Sequence, residues 1–260
     1  MTIPRFTRTA LAVAFLASGA ASAAQMQVTV TIDNLAPSNS VVFAPLHLGF
    51  HSGVFDAFDI GQAATPAIIS VAEGGSGSAW LPAFAAADPG ATIGTIGAPL
   101  MPGMSRSMTF TVDTAANRFF SFASMVVPSN DFFIGNDGAQ RYQLFDDQGN
   151  LQIASITQRS RDVWDAGSEV FDPLAAAFVG DNGLRADQNS VVAFNFAEFA
   201  AYNGLTTAAG NVFDSQLAAD TEIYRIGFEV AAVPEPETYA LMALGPAVVG
   251  WAGKRKSRGA

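Results

Sequence analysis

The sequence predicts an all-β fold, an antiparallel β-sandwich of the jelly-roll or Greek-key type. Three observations lead to this prediction. Hydrophobic and polar residues alternate with a period of two in several segments, which is typical of strands with one buried face. Glycine, proline, asparagine or aspartate separates most of these segments. Helical hydrophobic stripes are scarce, and many strands with few helices favour a sandwich over a βαβ fold.

Seven segments carry the strand pattern. In chain order they are 27–33, 108–112, 119–127, 142–145, 151–157, 191–199 and 223–230. The first is representative, because Val28, Val30 and Ile32 alternate with polar residues. Segment 119–127 is apolar on both faces, which predicts a central strand. Segments 142–145 and 151–157 flank the turn signal Asp-Asp-Gln-Gly-Asn at 146–150, so we expect them to form a hairpin.

Helices are expected at two places only. Segments 63–72 and 173–178 are the stretches of the mature chain with a helical spacing of apolar residues. The chain also contains 21 Phe, against 4 Tyr and 3 Trp. In a sandwich these Phe side chains are expected to fill the core between the two sheets.

The composition excludes several classes of protein. The 260 residues contain no Cys, which rules out a disulfide-stapled scaffold and any cysteine-ligated metal. Half of the residues are hydrophobic, which argues against intrinsic disorder. The 13 basic residues stand against 23 acidic ones, a net charge of −10, and this argues against nucleic acid as a partner.

The first 24 residues have the pattern of a secretory signal peptide. Arg5 and Arg8 precede an apolar core at 10–17, and small residues follow it. This layout predicts export, with cleavage near Ala23 or Ala24. The alternative, a buried N-terminal helix, would need a polar face that segment 10–17 lacks.

The last 28 residues, 233–260, have the layout of a sorting tail. Pro234, Glu235 and Pro236 precede an apolar run at 240–252, and four basic residues lie in the last seven positions. The run is shorter than the roughly 20 residues of a comfortable membrane span. An ordinary single-span anchor is the alternative interpretation.

These C-terminal features resemble the PEP-CTERM sorting signal of Gram-negative bacteria that make extracellular polysaccharide. The resemblance implies a short hydrophobic helix, transient anchoring in the inner membrane, and cleavage near Pro234-Glu235-Pro236 by an exosortase-type transpeptidase. Release or attachment at the cell surface would follow. Pro246 departs from a regular helix and should kink it.

Removal of both ends makes the mature domain more acidic. Between residues 25 and 233 there are 7 Arg, no Lys and 21 Asp or Glu, which gives a net charge near −14. An acidic surface of this kind favours solubility and divalent cations, and it repels anionic membranes. We therefore expect one domain, at 25–232, between the two terminal signals.

No catalytic motif is recognisable. The Gly-Gly-Ser-Gly-Ser segment at 74–78 lacks the final glycine of a nucleophile elbow, and no P-loop lysine follows it. His47 and His51 are four residues apart, but Gly49 and Gly53 argue against the helix that would make them a zinc pair. A structural or turn role is expected for both histidines. A carboxylate pair for glycoside hydrolysis remains possible, although no pair is singled out.

Two acidic loops are better candidates for a site. Loop 127–135 follows the long strand 119–127, and loop 162–169 follows the strand 151–157. Each places carboxylates at the end of a sheet, and Asp165 and Glu169 are close enough in sequence to share one ion. Ca²⁺ prefers several carboxylate and carbonyl oxygens from such loops.

The same loops resemble the spondin domain. The segment from Phe122 to Gly135 is similar to its Ser-Met-x-x-Pro-Ser-x-Asp signature, and 164–169 is similar to its Trp-Asp-Ala-Gly segment. The resemblance spans roughly 28–172 and implies a secreted antiparallel β-sandwich used in adhesion rather than catalysis.

The spondin resemblance also implies one calcium ion. Its three acidic ligands correspond to Asp131, Asp165 and Glu169 of this chain. Phe132 stands where the family has Trp, which should alter packing rather than ligation. Glu169 stands where the family has Asp, which adds one methylene to that ligand.

The sequence thus predicts an exported, non-enzymatic, calcium-binding protein of the cell surface or extracellular matrix. Its partners would be exopolysaccharide or surface proteins. Two other classes stay open: an extracellular polysaccharide hydrolase that uses a carboxylate pair, and a structural matrix protein without a specific ligand.

Overall fold

The computed structural model describes residues 25–97, 99–194 and 196–233. In these ranges ten strands and two α-helices follow one another. The strands are β1 (Gln25–Asn34), β2 (Val42–Phe43), β3 (Leu46–His51), β4 (Thr92–Ile96), β5 (Ser105–Asp113), β6 (Phe119–Val127), β7 (Phe132–Gly135), β8 (Ser155–Arg159), β9 (Trp164–Asp165) and β10 (Glu222–Ala232). The α-helices are α1 (Pro66–Gly74) and α2 (Trp80–Ala87), and short 3-10 helices cover Ser160–Asp162, Asn182–Leu184 and Phe196–Tyr202.

The strands form two sheets. The first sheet has four strands in the order β5-β1-β10-β8. The second has the order β4-β3-β6-β7-β9, and β2 also pairs with β6. The pairings between these strands are antiparallel; in the first sheet, for example, Val30 lies between Met108 and Phe228. The all-β sandwich expected from the sequence is confirmed.

The main core lies between the two sheets. Val28, Val30 and Ile32 of β1 are at most 1% exposed, because alternate residues of a strand face the same side. They join the apolar side chains of β3 and β6, where the rings of Phe50 and Phe120 lie 5.2 Å apart. Burial of each such side chain stabilises the fold by about 1.5–3 kcal/mol. Ten of the Phe residues expected in this core lie there, whereas Phe55, Phe58, Phe84 and Phe133 pack in a second cluster with the helices, and Phe171 and Phe194 are exposed.

The two α-helices form a further layer on the outside of the second sheet. Helix α1 packs on β6 and β7, and α2 packs on β3 and β4. Helix α1 begins after Thr65, whose hydroxyl accepts a hydrogen bond from the Ile68 amide, and Pro66 lies in its first turn. It ends at Gly75, where a φ of 61° favours glycine. Because the helices cover this side, β6 is buried on both faces.

Four predicted strands and one predicted helix are confirmed. Segments 27–33, 108–112, 119–127 and 223–230 lie within or match β1, β5, β6 and β10. Segment 63–72 overlaps α1. The central position expected for 119–127 is confirmed as well, because β6 lies between β3 and β7.

The predicted hairpin is correct only at its turn. The turn at 146–150 forms, and its two arms share one bridge between Phe145 and Leu151. Residues 142–145 do not form a strand, and β8 pairs with β10 instead of with them. The second arm is therefore drawn into the first sheet, which separates it from the first arm.

The predicted strand at 191–199 is wrong. The Val192 amide donates to the Gln62 carbonyl, Ala193 forms a single bridge with Asp165, and the chain then enters the 3-10 helix Phe196–Tyr202. The predicted helix at 173–178 is also wrong, since those residues form turns. Six elements were not predicted: β2, β3, β4, β7, β9 and α2.

Several expectations concern residues outside the described ranges. They are the signal peptide at 1–24 with its cleavage residues Ala23 and Ala24, the motif Pro234-Glu235-Pro236, and the apolar helix at 240–252. Within the described ranges, no helix has the length and apolar character needed to cross a membrane.

Candidate functional site

The pairing of β7 with β9 brings the two acidic loops together. Asp131 ends the turn between β6 and β7, and the next residue, Phe132, is paired with Asp165 of β9. The Ala166 amide donates to the Asp131 carbonyl, which fixes the start of the second loop against the first. Glu169 lies four residues beyond Asp165. The three acids expected from the sequence therefore belong to one loop cluster at this end of the second sheet.

Asp131 acts as a buried acceptor for the second loop. Its side chain is 2% exposed. Its Oδ2 accepts hydrogen bonds from the amides of Ser168 and Glu169, at 2.7 and 3.0 Å, and from the Ser168 hydroxyl at 3.2 Å. Asp131 thus holds the backbone of 168–169 in place.

Glu169 is buried beside this carboxylate. Its Oε1 forms an ion pair with the Arg185 guanidinium at 3.1 Å. Its Oε2 is buried and has no hydrogen-bond partner. Burial raises the pKa of Glu169 to about 7, and Arg185 opposes this shift while Glu73 and Asp131 add to it. A second positive charge near Oε2 would offset the unfavourable burial of this carboxylate oxygen without a partner.

Asp165 shapes the turn that leads to Glu169. Its Oδ1 accepts the Gly167 amide at 2.7 Å, as in an Asx turn. Gly167 has a φ of 66°, and a Cβ there would lie 2.7 Å from the Val191 carbonyl oxygen. Glycine is therefore required at this position. The Asp165 backbone exchanges hydrogen bonds with Ala193, so the turn is held on both sides.

A neighbouring segment closes the cluster from the side. The Val170 amide donates to the Ala186 carbonyl, and the Gln188 amide donates to the Ser168 carbonyl. This pairing places Arg185 next to Glu169. The sequence analysis missed Arg185, because nothing in the sequence indicates that this residue pairs with a carboxylate 16 positions earlier.

Asn130 is a second buried polar residue with an unpartnered atom, in this case a hydrogen-bond donor. Its Oδ1 accepts hydrogen bonds from the Asp172 amide and from the Tyr202 hydroxyl, at 3.1 and 3.3 Å. Its Nδ2 is buried without a partner. Burial raises the pKa of Tyr202, so this hydroxyl stays a donor. No pattern in the sequence indicates the contact between Asn130 and Tyr202.

The cluster can be tested for its fit to a cation. Carboxylate oxygens are the donors that Ca²⁺ prefers, and the unpartnered Oε2 of Glu169 is a buried acceptor that a cation would satisfy. Within the ranges that the structure describes, however, no group of three His, Cys, Asp or Glu side chains is arranged to hold a metal. The oxygen donors of the cluster are therefore of the kind that calcium prefers. Their present arrangement, however, is that of an ion pair between Glu169 and Arg185.

His47 and His51 form hydrogen bonds that connect neighbouring parts of the fold. Both lie on β3, and the Gly53 amide donates to His51 Nδ1, which leaves Nε2–H to donate to the Ser121 hydroxyl at 3.0 Å. His47 bridges Thr95 and the Gly75 carbonyl. Burial lowers the pKa of His51 to about 4, with Asp88 opposing the shift, and burial also lowers the pKa of His47. Both rings are therefore neutral at pH 7.

Comparison with known families identifies two matching segments. A family model described as Spondin_N matches residues 34–169, which are 136 of the 260 residues. A model described as the PEP-CTERM protein-sorting motif matches residues 232–256. No curated protein matches the chain. The first match contains all three acids of the cluster, and the second begins at the end of β10.

Proposed function

The chain belongs to the Spondin_N family, and on this premise we propose that it is a non-enzymatic, calcium-binding interaction protein of the cell surface or extracellular matrix. The coarser part of this statement follows from the two family matches: the protein is exported and sorted to the surface of a Gram-negative bacterium. The finer part, calcium binding and adhesion, depends on the loop cluster.

Sorting is assigned to the C-terminal motif. The PEP-CTERM motif implies processing by an exosortase. We propose that residues 240–252 anchor the chain in the inner membrane for a short time, and that cleavage near Pro234-Glu235-Pro236 then frees the domain. Strand β10 ends at Ala232, so cleavage there would leave the sandwich intact.

The observation that supports calcium most directly is the unpartnered Oε2 of Glu169. Asp131, Asp165 and Glu169 would hold the ion, and because the described ranges show no three-acid group arranged for a metal, their side chains would have to converge when it binds. A bound calcium ion would supply the positive charge that neutralises these clustered carboxylates. Glu169 would then share its charge between the ion and Arg185, and Asp131 would keep its hydrogen bonds to 168–169. The bound ion and the retained hydrogen bonds of Asp131 would both stiffen loop 162–169.

A calorimetric titration of the full chain with Ca²⁺ tests this proposal. We expect one saturable site in the wild type, and at least about tenfold weaker binding in Asp165→Asn. Asp181→Asn is the matched control, because Asp181 accepts the amide of Gly183 as Asp165 accepts that of Gly167. Equal affinities in the three proteins, or no binding to the wild type, would refute the assignment.

The non-enzymatic part of the proposal has its own test. The carboxylates of the cluster already serve structural partners, since Asp131 binds backbone amides and Glu169 binds Arg185. We therefore expect no new reducing ends when the protein is incubated with the polysaccharide of its own host. Their appearance at a rate that a carboxylate variant abolishes would favour the hydrolase alternative.

A further inference from the structure

A polar cleft lies where the two sheets meet at one edge of the sandwich. Strands β8 and β9 are terminal strands of the first and second sheets, and the 3-10 helix Ser160–Asp162 connects them directly. The cleft between them has a volume of about 550 Å³ and extends to the end of β7. Ligand sites in proteins have volumes of roughly 300–1,000 Å³, so the cleft is large enough for one.

Arginine is concentrated in this cleft. Arg141, Arg159 and Arg161 line it, and they are three of the 7 basic residues between 25 and 233. Arg159 lies 3.6 and 3.5 Å from carboxylate oxygens of Asp220 and Glu222, and Arg161 also pairs with Asp220. These acids orient two of the guanidinium groups, whose heads remain accessible.

Arg141 differs from the other two arginines. Its side chain is exposed, and it forms no ion pair within the described ranges. Its guanidinium lies 5.8 Å from the centre of the Tyr142 ring, in a cation–π contact. In a lysine-free domain with a net charge near −14, an accessible cation of this kind is a notable feature of the surface.

Aromatic rings extend the surface of the cleft at one edge. Trp164 lines the cleft, and its ring contacts the ring of Phe194 with the centroids 6.5 Å apart. Phe194 is 43% exposed, and its ring is nearly parallel to that of Phe196 at 6.1 Å. Ile60, 47% exposed, also lines the cleft. The surface thus combines flat apolar faces with charged hydrogen-bond donors.

We propose that this cleft and the aromatic rings beside it bind a polysaccharide chain that carries carboxylate groups. The proposal deepens the function proposed above and rests on it, because it names the partner of an interaction protein. Guanidinium groups bind carboxylates with two parallel hydrogen bonds, which suits an acidic sugar. The flat C–H faces of sugar rings pack on aromatic side chains, which have large apolar surfaces.

The remaining polar residues of the cleft agree with a sugar ligand. The amides of Gln158 and Asn136 are nearly buried and already hydrogen-bonded within the protein, and Asp137 and Asp162 are the acids that line the cleft itself. Sugar hydroxyls both donate and accept hydrogen bonds, so a mixture of donors and acceptors serves them. These two acids, together with Asp220 and Glu222 at the rim, would repel a densely charged polyanion such as nucleic acid. A chain with carboxylates at intervals fits this pattern better.

The test is a calorimetric titration of the full chain with a hexasaccharide in which glucuronic acid alternates with N-acetylglucosamine, in the presence of calcium. Arg141→Gln and Phe194→Ala should each weaken binding at least about tenfold. Arg106→Gln is the matched control for charge, because Arg106 is exposed on β5, the opposite edge strand of the first sheet. Phe171→Ala is the control for an exposed aromatic, since Phe171 is 37% exposed outside the cleft. Both controls should bind as the wild type does.

Three results would overturn the cleft proposal: no binding of the hexasaccharide, equal binding of a neutral glucose hexasaccharide, or equal binding of a glutamate hexapeptide. Calcium affinity is measured on the same samples. If calcium binds and the hexasaccharide does not, the cleft proposal fails while the proposed function stands. If calcium does not bind to the wild type, the proposed function fails, whatever the sugar does.

Discussion

At the scale of single residues, Asp131 supports the loop cluster most strongly. One of its oxygens accepts three hydrogen bonds from Ser168 and Glu169. In Asp131→Ala two buried amides lose their acceptor, and each such loss costs about 1–3 kcal/mol. We expect a decrease of about 2–4 kcal/mol in the free energy of unfolding, measured in urea without added metal. Asp131→Asn keeps an acceptor oxygen and should lose about half as much; an equal loss in both variants would contradict this account.

The buried histidines make stability depend on pH. The pKa of His51 is about 4 in the fold against an ordinary value of 6.5, so the unfolded chain binds more protons between these values. The lowered pKa of His47 acts in the same direction. These histidines make the free energy of unfolding fall as the pH is lowered from 6.5 towards 4, whereas the raised pKa of Glu169 acts in the opposite direction. His51→Gln should make this decrease smaller, as urea unfolding at pH 7, 6 and 5 would reveal; unchanged slopes would count against a neutral His51.

At the scale of elements, β3 shows how the helical layer constrains a strand. Its Leu46, Leu48 and Phe50 face the main core, and His47, Gly49 and His51 face α1 and α2. The sequence analysis did not assign this strand. Its second face carries His and Gly, which are typical neither of a solvent-exposed strand face nor of an apolar buried one. Those residues are buried only because helices from 66–87 cover them.

Gly49 is the position at which this packing is tightest. A Cβ at Gly49 would overlap the ring of Phe84, which is fully buried in α2. Gly49→Ala should therefore displace α2 and destabilise the fold by about 1–3 kcal/mol. Gly97→Ala is the control, because a Cβ there meets nothing within 4 Å, and we expect its effect to stay within about 0.5 kcal/mol. Thermal and urea unfolding measure both, and similar effects would be evidence against the close approach of α2 to β3.

The strands that were predicted correctly could be recognised from the local sequence pattern alone. Strands β1, β5 and β10 have one face in the core and one in water, so their sequences alternate and can be recognised without knowledge of the fold. The segment 191–199 alternates too, yet it makes only isolated backbone contacts with Gln62 and Asp165 before the chain enters a 3-10 helix, so no strand forms there. In the 3-10 helix that follows, Phe199 and Tyr202 are buried at a spacing of three.

The candidate site depended on two kinds of sequence signal. The local pattern identified two acidic loops that follow strands, and the resemblance to the spondin domain selected Asp131, Asp165 and Glu169 within them. The structure adds Arg185, Ser168 and the orphaned oxygen of Glu169. These depend on contacts between segments that the sequence alone does not pair.

At the scale of the whole molecule, the C-terminal sorting motif bears on where the domain goes. The sorting motif matches 232–256 and directly follows the last strand. Replacement of Pro234-Glu235-Pro236 by three alanines should prevent exosortase processing, so that the protein stays in the inner-membrane fraction of its host. Fractionation with an antibody to the domain measures this. An unchanged yield at the surface would show that the tail is not the sorting signal.

The central claim is that the acid cluster of the folded domain binds calcium. The most direct measurement is the melting temperature of the full chain with and without Ca²⁺, for the wild type and Asp131→Asn, with Mg²⁺ as the control ion. A ligand that binds only the native state stabilises it, by about 2.7 kcal/mol at 100 times its Kd. We predict a higher melting temperature in calcium for the wild type and no change for Asp131→Asn. A wild-type melting temperature that is independent of calcium, or an equal rise in both proteins, would contradict the claim.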